Sequence, residues 1–219
     1  MNDTAFVQLL DIAAGLVLVT SFAALWLRRL VAVARVIAVQ GVALAAVAFV
    51  IGLYEHENEL VAVSLMVGAL RGVVLPGLIL RAVRAGDERR EVESLINVPA
   101  ALLAASGLTL IAYAATRDVV ALSSTPQVRA LPLGVAVMLI GMLLIVTRRK
   151  AVLQIMGVLM LDNGIALVMF LGTSGVPLAV ELGIASDVLL AMFILQVLTS
   201  RIRNKFGGTD LDQLRELRD

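Results

Sequence analysis

The chain has 219 residues; 60% are hydrophobic, 16% charged and 4% aromatic, with mean hydropathy +0.98. Soluble domains run about 45–50% apolar and about 25% charged, so this much apolar surface exceeds one core and must face lipid. With no cysteine, one histidine (His56) and a net charge of +1, the chain offers no disulfide, no thiolate iron–sulfur ligation, no bis-histidine haem and no footprint for nucleic acid.

The start, Met1-Asn2-Asp3-Thr4, lacks the positive charge of a cleaved signal peptide, so the first apolar run reads as a retained span. A span needs about 20 mostly apolar residues. Seven segments qualify: residues 4–27, 30–54, 60–83, 95–115, 131–147, 151–173 and 176–200. Long, continuous apolar runs must pair their backbone internally, which makes them helices. The expected fold is therefore all-α and polytopic, with seven transmembrane helices. Between spans two and three, Glu55-His56-Glu57-Asn58-Glu59 forms a short polar loop. One histidine among solvated acids favours a plain loop over a metal site. The mixed-charge stretch from Arg84 to Glu93 reads as a solvated connection. Residues 116–130 read as the largest outer loop, with Ser123-Ser124-Thr125-Pro126 as its turn. After a Gly207-Gly208 break, Leu211, Leu214 and Leu217 form an apolar edge that suits a partner subunit or the membrane surface.

Seven spans put the termini on opposite sides. All 18 basic residues except Arg35, Arg71, Arg117 and Arg129 then fall on one side. The positive-inside rule makes that side cytoplasmic, with the N-terminus outside and the C-terminus inside. A weak repeat pairs Gln40-Gly41 in span two with Asn163-Gly164 in span six. It implies a 3+1+3 parallel arrangement: a three-helix unit over 1–84, a linking helix with its loops over 85–130, a second three-helix unit over 131–203 and a tail over 204–219.

Charges inside spans are costly and mark function by default. Asp11, Arg35, Arg71, Asp162 and Asp187 lie within spans, and Glu181 lies nearer an outer end. Counting from basic anchors at 1.5 Å per residue puts Asp162 about 18 Å deep, Arg71 about 20 Å and Asp187 about 21 Å. All three reach mid-membrane, where they can meet. Arg71 and Arg35 can neutralise the acids as a locking network. Alternatively, the acids can load and release protons, because burial and a nearby arginine push a carboxylate's proton affinity in opposite directions. Two local features single out this level. Asp162-Asn163-Gly164 is turn chemistry inside an apolar run, so a local bulge is expected there. Gly68 and Gly72 have GxxxG spacing around Arg71, and Pro76 should kink the same helix.

The second half resembles hydrogenase-4 component E. The resemblance rests on Arg148-Arg149-Lys150, Gln154, Gly157 and Asp162-Asn163-Gly164, then on Glu181-Leu182-Gly183-Ile184, Asp187-Val188-Leu189-Leu190, Arg201-Ile202 and Thr209-Asp210 with Leu214 and Leu217. It covers residues 148–219. That family is similar in turn to the K-type subunit of complex I and the C-type subunit of Mrp antiporters. The buried glutamate of those helices aligns with Leu159, one turn from Asp162, and a second one aligns with Asp187. The resemblance implies a membrane-arm subunit of a group 4 NiFe hydrogenase or formate-hydrogenlyase-like complex. Asp162, Asp187 and Glu181 would then serve proton transfer, with Arg71, Arg35, Lys150 and Arg148 as charge partners and Asp11 as a further buried acid. Such a subunit needs no cofactor of its own. Its partners would be antiporter-like and H-type membrane subunits and, indirectly, a NiFe and iron–sulfur peripheral arm, in the cytoplasmic (inner) membrane.

Two other classes compete. A stand-alone small-solute transporter would share a 3+1+3 layout, but spans one, two and six lack proline. An inert assembly subunit would merely fill lipid-facing space. A retinal protein is excluded, because Lys150 and Lys205 sit at span ends.

Overall fold

The computed structural model describes residues 2–85 and 95–172, apart from the side chains of 82–85 and 151. Residues 2–85 run through α1 (Asp3–Trp26), α2 (Leu30–Glu55), α3 (Asn58–Ala69), a π-helical turn (Leu70–Val74) and α4 (Leu75–Ala85). Residues 95–172 run through α5 (Val98–Leu122), a 3-10 turn (Pro126–Ala130), α6 (Leu131–Thr147) and α7 (Ala151–Gly172). No strand occurs among the described residues. Counting α3, the π turn and α4 as one span, six helical spans are long and apolar enough to cross a membrane. The seventh expected span, 176–200, and the tail lie outside the described residues.

The fourth span differs from its expected limits. Residues 116–130 are not a loop: α5 continues to Leu122 and only Ser123–Thr125 separate it from the 3-10 turn. Val119-Val120-Ala121-Leu122 resumes the apolar run after Arg117-Asp118. Thr116 folds its hydroxyl back onto the Ala112 carbonyl, 2.8 Å away, so a polar residue rides inside the helix at little cost.

Contacts at each end of the bundle tie the described spans together. Arg148, at the end of α6, donates to the Leu25 carbonyl at the end of α1, 2.9 Å away. Leu95 N–H bonds the Thr147 carbonyl at 2.9 Å. These contacts gather the Leu27–Arg29 hairpin, the start of α5 and the Arg148–Lys150 hairpin at one basic end. At the other end Tyr54 donates to Asp3 at 3.0 Å and stacks on Phe6 with ring centres 3.9 Å apart. Gln127 donates there to Glu55 at 3.1 Å. His56 ends α2 in the left-handed conformation (φ 59°), which lets its N–H close on the Gly52 carbonyl.

The spans pack through glycines, as expected where lipid is as apolar as leucine and close van der Waals fit decides association. A Cβ on Gly164 of α7 would meet the Met138 backbone nitrogen of α6 at 2.5 Å. A Cβ on Gly41 of α2 would meet the Arg71 carbonyl oxygen at 2.5 Å. α7 is the most buried span and α5 the most exposed. From α5, Leu103, Leu110 and Leu122 project outward.

Candidate functional site

The expected bulge at Asp162-Asn163-Gly164 does not form; α7 is helical throughout. Gly164 serves the close crossing with α6 instead. The irregular backbone lies at Arg71. There the Leu75 N–H bonds the Leu70 carbonyl, five residues back. Pro76 has no N–H for the Gly72 carbonyl, and its ring would crowd that carbonyl in a regular helix. A widened turn just before the proline accommodates both.

This turn directs Arg71 inward, where it is 4% exposed. One terminal nitrogen lies 2.7 Å from the Asp162 carboxylate of α7. The other donates to the Asn163 side-chain oxygen at 2.8 Å. The Asn163 amide donates to Gln40 of α2 at 3.0 Å. Gln40 donates to Ser21 at 2.8 Å and to the Val17 carbonyl at 3.1 Å, both on α1. Ser21 in turn donates to the Val17 carbonyl at 2.9 Å. A single polar ladder thus crosses four spans, and all its side chains are buried.

The ladder combines two kinds of group. Asp162 can gain and lose a proton, whereas Asn163 and Gln40 cannot and serve to orient their neighbours. The Arg71 guanidinium is held from both sides, by the carboxylate and by the amide. Leu159 is buried one turn before Asp162, so Asp162 supplies the charge of that helix face.

The other anticipated residues fall elsewhere. Arg35 is exposed on α2 and takes no part in the ladder, because α2 presents Gln40 inward. Asp11 is exposed on α1, not buried. Arg148 is buried at the basic end; burial pushes its pKa below the ordinary guanidinium value, and its N–H donates a hydrogen bond to the Leu25 carbonyl. Lys150 is half-buried at the same end. Asp187 and Glu181 lie outside the described residues. Gln40 and Ser21 escape a search for charges. Their signal is a polar residue inside an apolar run.

The chain is 47% identical over 220 residues to the uncharacterized protein Rv0085 of Mycobacterium tuberculosis, covering 100% of both. It belongs to the Rv0085 family. A shorter stretch of 89 residues is 34% identical to hydrogenase-4 component E of Escherichia coli K12 and of Shigella flexneri, 41% of each chain. That partial match supports kinship between the Rv0085 family and a family of membrane subunits. No family model matches the chain. No solved structure matches it.

Proposed function

We propose that this chain is a membrane-arm subunit of a complex I-like oxidoreductase related to group 4 NiFe hydrogenases, and that it contributes buried charges to proton translocation. The observation that carries this reading is the Arg71–Asp162 pair at 2.7 Å, buried between the π turn and α7. An intramembrane acid–arginine pair is expensive to keep. Set in irregular backbone, it fits a site better than a simple anchor. The partial match to hydrogenase-4 component E supplies the class of complex.

In this reading Asp162 is the proton-loading carboxylate, Arg71 sets its charge balance, and Asn163 and Gln40 hold Arg71 in place. Asp187 and Glu181 extend the route through the last span. The basic end faces the cytoplasm, as positive-inside requires. Antiporter-like and H-type subunits cover part of the lipid-facing surface, while a NiFe and iron–sulfur arm carries the electrons. The chain resides in the cytoplasmic membrane.

The test uses the assembled complex in vesicles. Asp162→Asn keeps the shape of the side chain and removes its titration. Coupled proton uptake should fall while the complex still assembles. Unchanged coupling would favour the locking network, whose amide rungs move no protons. Mild-detergent purification followed by mass spectrometry should recover antiporter-like partners, and recovery of the chain alone would overturn the complex.

A further inference from the structure

At the basic end an open groove of about 690 Å³ lies between the end of α1, the start of α2 and the start of α5. Trp26, Leu27, Ala32, Pro99 and Leu102 supply apolar wall, and Arg28 and Arg29 line it as well. The groove sits where α1 ends and α2 and α5 begin, at the ends of three apolar spans. Trp26 is 64% exposed there, the placement favoured by interfacial tryptophans.

Arg28 and Arg29 are exposed. A third arginine, Arg35, is exposed one turn beyond Ala32 on the same helix, about 7.5 Å in from Leu30. None of the three side chains makes an ion pair or hydrogen bond among the described residues. No side chain caps the first turn of α2, whose positive end points to the same corner. Arg28 and Arg29, with no side-chain partner among the described residues, thus line an apolar groove, and Arg35 lies one turn further into the apolar run of α2. An arginine at that depth must reach outward for a counter-charge.

We propose that this groove binds an anionic glycerophospholipid. Its phosphate sits among Arg28, Arg29 and Arg35, and its upper acyl carbons lie against Trp26, Ala32 and Leu102. Guanidinium matches phosphate by paired hydrogen bonds as well as charge. A zwitterionic headgroup carries its own cation and answers three arginines poorly.

The full-length protein, delipidated in mild detergent, is titrated with phosphatidylglycerol or with phosphatidylcholine of the same chains, and adducts are counted by native mass spectrometry. Phosphatidylglycerol should half-saturate one site at a concentration at least about tenfold lower. In Arg28→Gln/Arg29→Gln/Arg35→Gln the two lipids should bind within about twofold of each other. Arg117→Gln/Arg129→Gln, at the opposite end, should keep the preference. Ala32→Phe fills the groove with every arginine left in place and should lose the adduct, so the proposal stays testable if the triple variant does not fold. Millimolar inorganic phosphate should leave the adduct bound. Equal binding of both lipids, an undiminished preference in the triple variant, or displacement by phosphate alone would overturn the assignment.

Discussion

Asn163 of α7 donates a 3.0 Å hydrogen bond to the side-chain oxygen of Gln40 on α2, and this bond has only one workable direction. Arg71 can only donate, so Asn163 must turn its oxygen toward the guanidinium. The Val17 carbonyl can only accept, so Gln40 must turn its nitrogen toward α1. Both amides are therefore oriented by the chemistry at the ladder's two ends, and flipping either would set like against like. The weak repeat expected from the sequence pairs these same two residues, and they meet in space.

That coupling is measurable. Gln40→Leu and Asn163→Leu should each cost about 1–3 kcal/mol, because each strands a buried polar partner. The double variant should cost less than their sum by about 0.6–1.7 kcal/mol, the range of hydrogen-bond couplings between membrane helices. Unfolding in mixed micelles gives all four values, and strict additivity would contradict the ladder.

Arg71 and Asp162 should respond asymmetrically to substitution. Arg71→Met leaves a buried carboxylate without its cation and should cost about 3–5 kcal/mol. Asp162→Asn retains an acceptor and should cost less. Arg71→Met/Asp162→Leu, which removes both charges, should be milder than Arg71→Met alone. Thermal unfolding in detergent ranks the three, and a double variant as damaged as Arg71→Met would contradict a neutralising pair.

Two glycines of similar sequence setting should part company. Gly41→Ala drives a methyl against the Arg71 carbonyl and should cost about 1–3 kcal/mol. Gly107, on α5, has open space at its Cβ position. Gly107→Ala should be neutral or gain about 0.5–1 kcal/mol through lower chain entropy. Melting temperatures in detergent distinguish them, and equal shifts would show that α2 does not press on the π turn.

Arg148 should matter through its contact with α1. Arg148→Met strands the Leu25 carbonyl at a helix end. The substitution also relieves the burial cost that lowers the Arg148 proton affinity. The two effects oppose, so the net loss should be near the low end for such bonds, about 1–2 kcal/mol. Arg149→Met, at an exposed side chain next door, should stay within about 0.5 kcal/mol of the parent.

The shared level of Arg71 and Asp162 was legible because helix rise is constant. Counting residues from basic anchors sets Arg71 and Asp162 at one level, and the structure joins them at 2.7 Å. Rotation was not legible. Spans in lipid are apolar on every side, so hydropathy does not mark the inward face. Arg35 and Arg71 look alike as charges in runs of alanine, valine and leucine, yet one is exposed and the other buried. The site of backbone irregularity also misled. Asn-Gly suggests a break in α7, but that glycine is needed for the α6 crossing, and Pro76 moves the break to Arg71.

The amino-acid sequence alone determined that this chain is helical and lives in lipid, since 60% hydrophobic residues in long runs allow no other satisfied backbone. Its few charges, counted from the basic anchors, determined that Arg71 and Asp162 lie level with each other. Only the tertiary structure decided which polar groups share that site. Contacts at Gly41 and Gly164 set how far each helix is turned, and a turn of one residue, about 100°, separates a buried partner from an exposed one. That rotation brings Gln40 and Ser21 into the ladder and leaves Arg35 exposed outside it.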